Sequence, residues 1–226
     1  RTTDAHAQGA SIGAKLAHLR SRWRAYFAHI MGFAVLGMVM NVFQVYGVQY
    51  FIRELGLSIP QAGLRVGTVI AVFGTCGILF GGWLTDRWRA SGRRDAAMRV
   101  GLTAAVGLIP FAGVCTLLGD LAWSTLFLLP IGFFTAFAFG AGATGVVVLT
   151  PPSMRAQASA IYLLCVNLMG IGLAPWLTAV ITQYGFGDDL AVGKSCAIVA
   201  GSAAVIAAGI FWWGLPHMRR ELESAR

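Results

Sequence analysis

Asn41, Gln44, Arg65 and Asn167 stand inside otherwise apolar stretches of this 226-residue chain. In hydrocarbon such groups are costly unless they face a cavity or a partner helix, which makes them the first candidates for function. The chemistry open to them is recognition rather than bond-making. Amides donate and accept hydrogen bonds, and a guanidinium attracts anionic groups. Asn41 and Gln44 are three residues apart and share one face of any helix that carries them. Each candidate has a second reading: hydrogen bonding between helices for Asn41 and Gln44, packing for Asn167, and snorkelling to the surface for Arg65. His29 reads as structural, close to one interface.

Sets of residues that make and break bonds are missing. The chain has no HExxH, no paired carboxylates within its apolar spans, and no GxSx serine with a histidine partner there. An enzyme is therefore not predicted, and neither a cofactor nor a metal site is. Cys76, Cys115, Cys165 and Cys196 fall in different apolar spans without paired spacing, so they read as small buried apolar residues.

The elements that must position these side chains are membrane helices. Apolar stretches recur at 25–50, 61–85, 98–118, 122–150, 156–184 and 195–215, and about 18 or more such residues suffice to cross roughly 30 Å of hydrocarbon. With the first helix entering from the cytoplasm, Arg1, Lys15, Arg20, Arg22, Arg24, Arg87, Arg89, Arg93, Arg94, Arg99, Arg155, Arg219, Arg220 and Arg226 lie inside. Only Arg53, Arg65 and Lys194 lie outside, a split of fourteen against three among the 17 basic residues. Positive charge in short loops sets orientation, so both termini are expected in the cytoplasm. The formal net charge of +8 and the 57% hydrophobic content agree. That charge sits beside helix ends, where topology and anionic headgroups account for it without a nucleic-acid partner.

Punctuation fits hairpins. Ser58 and Pro60 suit the start of the second helix, Gly119 and Asp120 a very short outer turn, and Pro151 to Ser153 a break between the fourth and fifth helices. Residues 184–194 read as an outer loop, and Tyr46 and Tyr50 as members of an outer aromatic belt. The glycines of the second and fourth helices read as close contacts, either sliding or static. In the polar lead, Ile12, Leu16, Leu19 and Trp23 recur at helical spacing among basic residues, as in an interfacial amphipathic helix; a disordered linker is the alternative. No signal peptide is recognisable, and the chain reads as a piece of a longer protein. The organisation is a cytoplasmic segment over 1–24, a transmembrane bundle over 25–216 and a cytoplasmic tail over 217–226.

At the inner end of the second helix the chain runs Gly81-Gly82-Trp83-Leu84-Thr85-Asp86-Arg87, then reaches Gly92, Arg93 and Arg94. This resembles the major facilitator superfamily, whose signature between the second and third helices of each half is a Gly, three residues, Asp, Arg, then a Gly and two basic residues. Here extra residues separate Arg87 from Gly92. A second stretch, Pro152-Ser153-Met154-Arg155-Ala156-Gln157-Ala158, followed by Asn167 through Gly170, Gly172 and Pro175, is similar to the fifth helix of the C-terminal half in spinster-like members. The likeness covers about residues 20–220.

The resemblance implies an all-α membrane fold of six transmembrane helices, a 3+3 inverted repeat forming the C-terminal half of a twelve-helix transporter. It implies a small organic or amphipathic substrate, alternating access, and the N-terminal six-helix half and membrane lipids as partners. It also gives Gly82, Asp86, Arg87, Arg93 and Arg94 the role of a latch that joins the two halves when the transporter opens outward. Topology and headgroup binding are the plainer role for those arginines. No carboxylate lies deep in a span, so a proton-coupling acid would belong to the other half. High Ala, Gly and Arg usage fits a bacterial inner membrane. The alternative function is a non-transporting membrane subunit or an inactive fragment.

Overall fold

From Trp23 to Arg53 the chain has 31 residues without a proline or an acid, and they form one uninterrupted helix, α1. At 1.5 Å per residue it is about 46 Å long, well beyond the roughly 30 Å hydrocarbon core, so a spanning α1 tilts or extends past it. The computed structural model describes residues 20–224; the expected amphipathic helix at residues 12–23 lies mostly outside them. After α1 come α2 (Ile59–Ala90), α3 (Ala96–Ala112), α4 (Leu121–Leu149), α5 (Pro152–Phe186) and α6 (Asp189–Glu223). Among the described residues there is no strand. Five of these helices are long and apolar enough to cross a membrane; α3, at 17 residues, is shorter.

Local chemistry sets most of the ends. Ser58 is extended, its N–H donates to Gln61 Oε1 at 3.1 Å, and Pro60 sits in the first turn of α2. Asp120 caps α4 by accepting from Ala122 N and Trp123 N. Two boundaries differ from expectation. α3 stops at Ala112, two residues after Pro110, and residues 113–118 form turns rather than more helix. α6 runs through Pro216 to Glu223, because ties beyond the proline hold its last turns: Arg22 pairs with Glu221 at 3.2 Å and Arg94 donates to the Leu222 carbonyl at 3.2 Å.

The expected outer loop at 184–194 shrinks to a brief reversal at Gly187 and Asp188. α5 continues to Phe186 in a wide π-type turn, and Asp188 caps a short 3-10 turn by accepting from Leu190 N. Across this end, Glu54 accepts the N–H of Gly193, and Thr116 donates to the Gly193 carbonyl. Although Glu54 keeps much of its surface exposed, burial of the carboxyl raises its pKa, against the lowering effects of the Gly193 N–H and Lys194.

Packing follows small residues. Gly32 of α1 and Gly101 of α3 leave room for the Phe211 ring of α6, and Gly214 of α6 faces Ala28. Gly77 and Gly81 bring α2 against the backbone of Phe133 and Phe137 in α4. Cys76 lies just off that seam and is exposed on α2, and Cys165 is only half-buried, so burial holds for Cys115 and Cys196 alone. Exposed Trp123 and Tyr184 mark one end of the bundle, and Trp23, Trp83, Trp212 and Trp213 lie toward the arginine-rich end, as interfacial belts do. Tyr50 does not join them: it is fully buried, with its hydroxyl 2.9 Å from Ser124 Oγ.

Candidate functional site: a cavity between α1, α4 and α5

α1 and α5 touch where Gly170 has no room for a side chain, since an added Cβ would lie 2.6 Å from Asn41 Nδ2. Asn41 is on α1; its Nδ2 donates to the Gly37 carbonyl one turn back, at 2.9 Å. Beside this crossing opens a cavity of about 270 Å³ lined by Phe33, Met40, Asn41 and Gln44 of α1, Thr135 and Phe139 of α4, and Tyr162, Val166 and Asn167 of α5.

The structure thus brings three of the four sequence candidates, Asn41, Gln44 and Asn167, to one cavity. Asn167 also bonds within its own helix, Nδ2 donating to the Leu163 carbonyl at 2.8 Å. Neither asparagine bridges to another helix among the described residues. With one N–H used locally, each amide keeps its second N–H and its carbonyl oxygen for another partner. Gln44 is exposed and also borders a smaller void of about 60 Å³ against Val66, Val69 and Ile70 of α2.

Arg65 is elsewhere. It lines an open groove of about 550 Å³ with Gln61, Thr68, Thr125 and Leu129, and its Nη1 donates to Thr125 Oγ1 at 2.8 Å. This contact ties α2 to α4 and keeps the guanidinium within the groove.

Two irregularities border the cavity region. α5 widens to π-type turns at Leu168–Leu173, where the Ala174 N–H reaches back to the Met169 carbonyl, five residues earlier. Pro175 has no N–H to give, and Gly170 and Gly172 permit the wider turn. α2 widens likewise at Ile70–Gly74, beside the smaller void.

Tyr162, Phe33 and Thr135 escaped sequence reasoning. Tyr162 is buried and packs edge-on against Phe33, centroids 6.4 Å apart, and its hydroxyl has no hydrogen-bond partner among the described residues. A hydroxyl in the middle of an apolar span was the available signal. Behind it His29 is fully buried, with rings of Phe33 and Tyr162 at 4.8 and 6.3 Å, and its Nδ1 has no partner.

The remaining candidates gather at the arginine-rich end. Gly82 is exposed with open space around it, while neighbouring Gly81 makes the contact with α4. Asp86 is exposed and forms no ion pair among the described residues. Arg87 lies over the Trp83 ring at 5.6 Å, Arg93 is exposed, and Arg94 is tied to α6.

No profile of a known protein family matches the chain. In sequence it is 25% identical over 182 residues to an MFS-type efflux pump of Mycolicibacterium smegmatis, a match covering 78% of this chain and 42% of that protein. Its fold is similar to the crystal structure of a bacterial homologue of the human lysosomal transporter Spinster in an inward-facing, unoccupied conformation. The TM-score is 0.72 at 17% identity, over 98% of this chain and 53% of that one. For the inward-facing, occupied conformation the TM-score is 0.60 at 16% identity, over 88% and 49%. The chain spans about half the length of the proteins it matches. The resemblance read from the sequence is thus met in sequence by an MFS-type efflux pump and in fold by a bacterial homologue of the transporter Spinster.

Proposed function

We propose that this chain is the C-terminal half of a twelve-helix secondary transporter that moves a small organic or amphipathic solute across a plasma membrane by alternating access. In this reading residues 25–216 form six transmembrane helices in a 3+3 inverted repeat, 1–24 belong to a central cytoplasmic segment, and 217–226 extend into the cytoplasm. Both termini then face the cytoplasm, as the charge asymmetry favours.

The observation that carries the reading is the cavity: largely apolar walls lined also by three amide side chains and by Tyr162. Such a lining suits a ligand that is largely apolar with a few polar groups to orient it. α2 and α5 are the least covered of the long helices, with 22% and 17% of their most apolar windows buried. That exposure supports an N-terminal six-helix half packed against them, with lipid around the rest. Arg65 then adds an anion-attracting group along the path, and Asp86 with Gly82, Arg87, Arg93 and Arg94 meets the other half as a latch. The acids among the described residues all lie at helix ends or connections, so a proton-coupled cycle takes its titrating carboxylate from the other half.

The test is flux. Full-length protein is screened for thermal shift against organic acids, sugars and lysolipids, and any solute that shifts it is followed into sealed proteoliposomes. Saturable uptake that Gln44→Ala and Tyr162→Phe both weaken is expected. Binding without flux would favour a non-transporting membrane subunit.

A further inference from the structure

Asp95, at the start of α3, is 4% exposed, and a single carboxylate oxygen serves two arginines: Oδ2 accepts from Arg99 Nε at 2.9 Å and from Arg219 Nε at 2.7 Å. Each guanidinium is therefore held by one edge. Its two terminal NH2 groups have no partner among the described residues, so four N–H donors on each guanidinium are oriented and unused. Both arginines open on a pocket of about 380 Å³ between the start of α3 and the end of α6, which Arg93, Arg94, Leu222 and Glu223 also line.

The charges in this pocket do not balance. Arg93, Arg94, Arg99 and Arg219 contribute four positive charges against two negative ones from Asp95 and Glu223, and Glu223 forms no ion pair among the described residues. Arg94 is committed at one nitrogen to the Leu222 carbonyl, and exposed Arg93 has no partner there. Setting topology needs only the charges; it does not need a buried carboxylate that fixes two guanidinium planes over one pocket.

We propose that this pocket binds a phosphate group, with Arg93, Arg99 and Arg219 as its ligands and Asp95 as the residue that positions the last two. Guanidinium forks match phosphate oxygens in pairs, and a tetrahedral anion has enough oxygens to engage more than one fork. The site is separate from the solute cavity and shares no residue with it. Its height suits a lipid headgroup, since Trp83, Trp212 and Trp213 are exposed at the same end of the bundle. A free phosphate carries the same recognising chemistry.

The experiment uses full-length protein stripped of lipid in a non-ionic detergent at fixed ionic strength. Saturation is followed by thermal shift and by native mass spectrometry with three probes: short-chain phosphatidylglycerol, short-chain phosphatidylcholine and inorganic phosphate. Arg93→Gln, which leaves Asp95 and its partners alone, should raise the apparent Kd for the bound probe about tenfold. Arg219→Lys keeps the charge but loses the fork, and should weaken binding by a smaller factor. Binding of phosphatidylglycerol without inorganic phosphate identifies a lipid as the source; binding of inorganic phosphate identifies the free anion as sufficient. Unchanged affinity in both variants, no saturable binding of either anion, or equal binding of phosphatidylcholine overturns the proposal.

Discussion

His29 donates its Nε2 hydrogen to the carbonyl oxygen of Gly142, 2.8 Å away across 113 residues of sequence. That bond fixes the tautomer, with Nδ1 bare in the interior. It also meets α4 just past Ala138, where the helix is locally interrupted between Phe137 and Phe139. His29 therefore holds α1 to the less regular half of α4. His29→Ala should lower the unfolding free energy by about 1 to 3 kcal/mol, through a lost buried bond and the space left behind. His217→Ala, at a half-buried ring set edge-on to Trp213, should stay within about 0.5 kcal/mol. Paired thermal melts in one detergent check this, and equal midpoints for the two variants would remove the clamp.

Gly81 and Gly82 are adjacent and have opposite surroundings. A Cβ on Gly81 would collide with the Phe137 carbonyl in α4, whereas one on Gly82 meets nothing within 4 Å. Gly81→Ala should cost about 1 to 3 kcal/mol by forcing α2 and α4 apart. Gly82→Ala should leave the melt unchanged within about 0.5 kcal/mol; any effect it has should fall on transport, where a partner half would press against it. A Gly82→Ala variant as unstable as Gly81→Ala would contradict this assignment.

Arg65 reaches Thr125 rather than the main cavity. If it attracts an anionic group of the solute, Arg65→Gln should weaken uptake more than Arg65→Lys, because Lys keeps the charge and loses the planar fork. Thr125→Val removes the tether and keeps the charge, so it should act mildly on uptake. Initial-rate kinetics in proteoliposomes decide the matter, and wild-type values in Arg65→Gln would leave the residue a purely structural tie between α2 and α4.

Asp86 has no ion-pair partner among the described residues, as a latch residue would if its partner belonged to the other half in another state. Neutralising it should bias the full-length protein toward the inward-open form. Loss of about 1 to 3 kcal/mol of state-specific contact changes the population ratio by about five- to 150-fold. Spin labels on opposing outer loops should move closer in Asp86→Asn. Distances matching the parent at normal expression would reduce Asp86 to a folding or topology residue.

What the sequence discloses here depends on whether the cause is local. Run length and hydropathy disclose the helices; Ser58 discloses a helix start, because caps act over two or three residues, while Asp120, read as a turn residue, also caps α4. Asn41, Gln44 and Asn167 stand out by being polar in apolar spans, and the cavity they share follows from the crossing of α1 and α5. Tyr50 misleads because its partner, Ser124, is 74 residues away, so its position near a helix end looks interfacial. Asp95 is equally opaque: one of its arginines is four residues along, but the other is 124 residues away. Pro216 resembles a stop signal, yet α6 continues, since contacts from Arg94, in the connection before α3, and from Arg22 hold the turns beyond it.

The wide turns of α5 have a geometric consequence. Ala158, Tyr162, Gly170, Ala174, Thr178 and Thr182 are buried, with half-buried Val166 between, so the inward positions fall on every fourth residue. In a regular α-helix four residues turn about 400°, and such a series would drift about 40° per step, or about 240° from Ala158 to Thr182. Each π-type turn absorbs one surplus residue, about 100° of phase. Only the turn at Leu168–Leu173 falls inside this series, and it removes about 100° of the drift; the turn at Ile181–Phe186 begins at its end. The buried stripe of the helix thereby winds less far around it than the same residues would on a uniform helix.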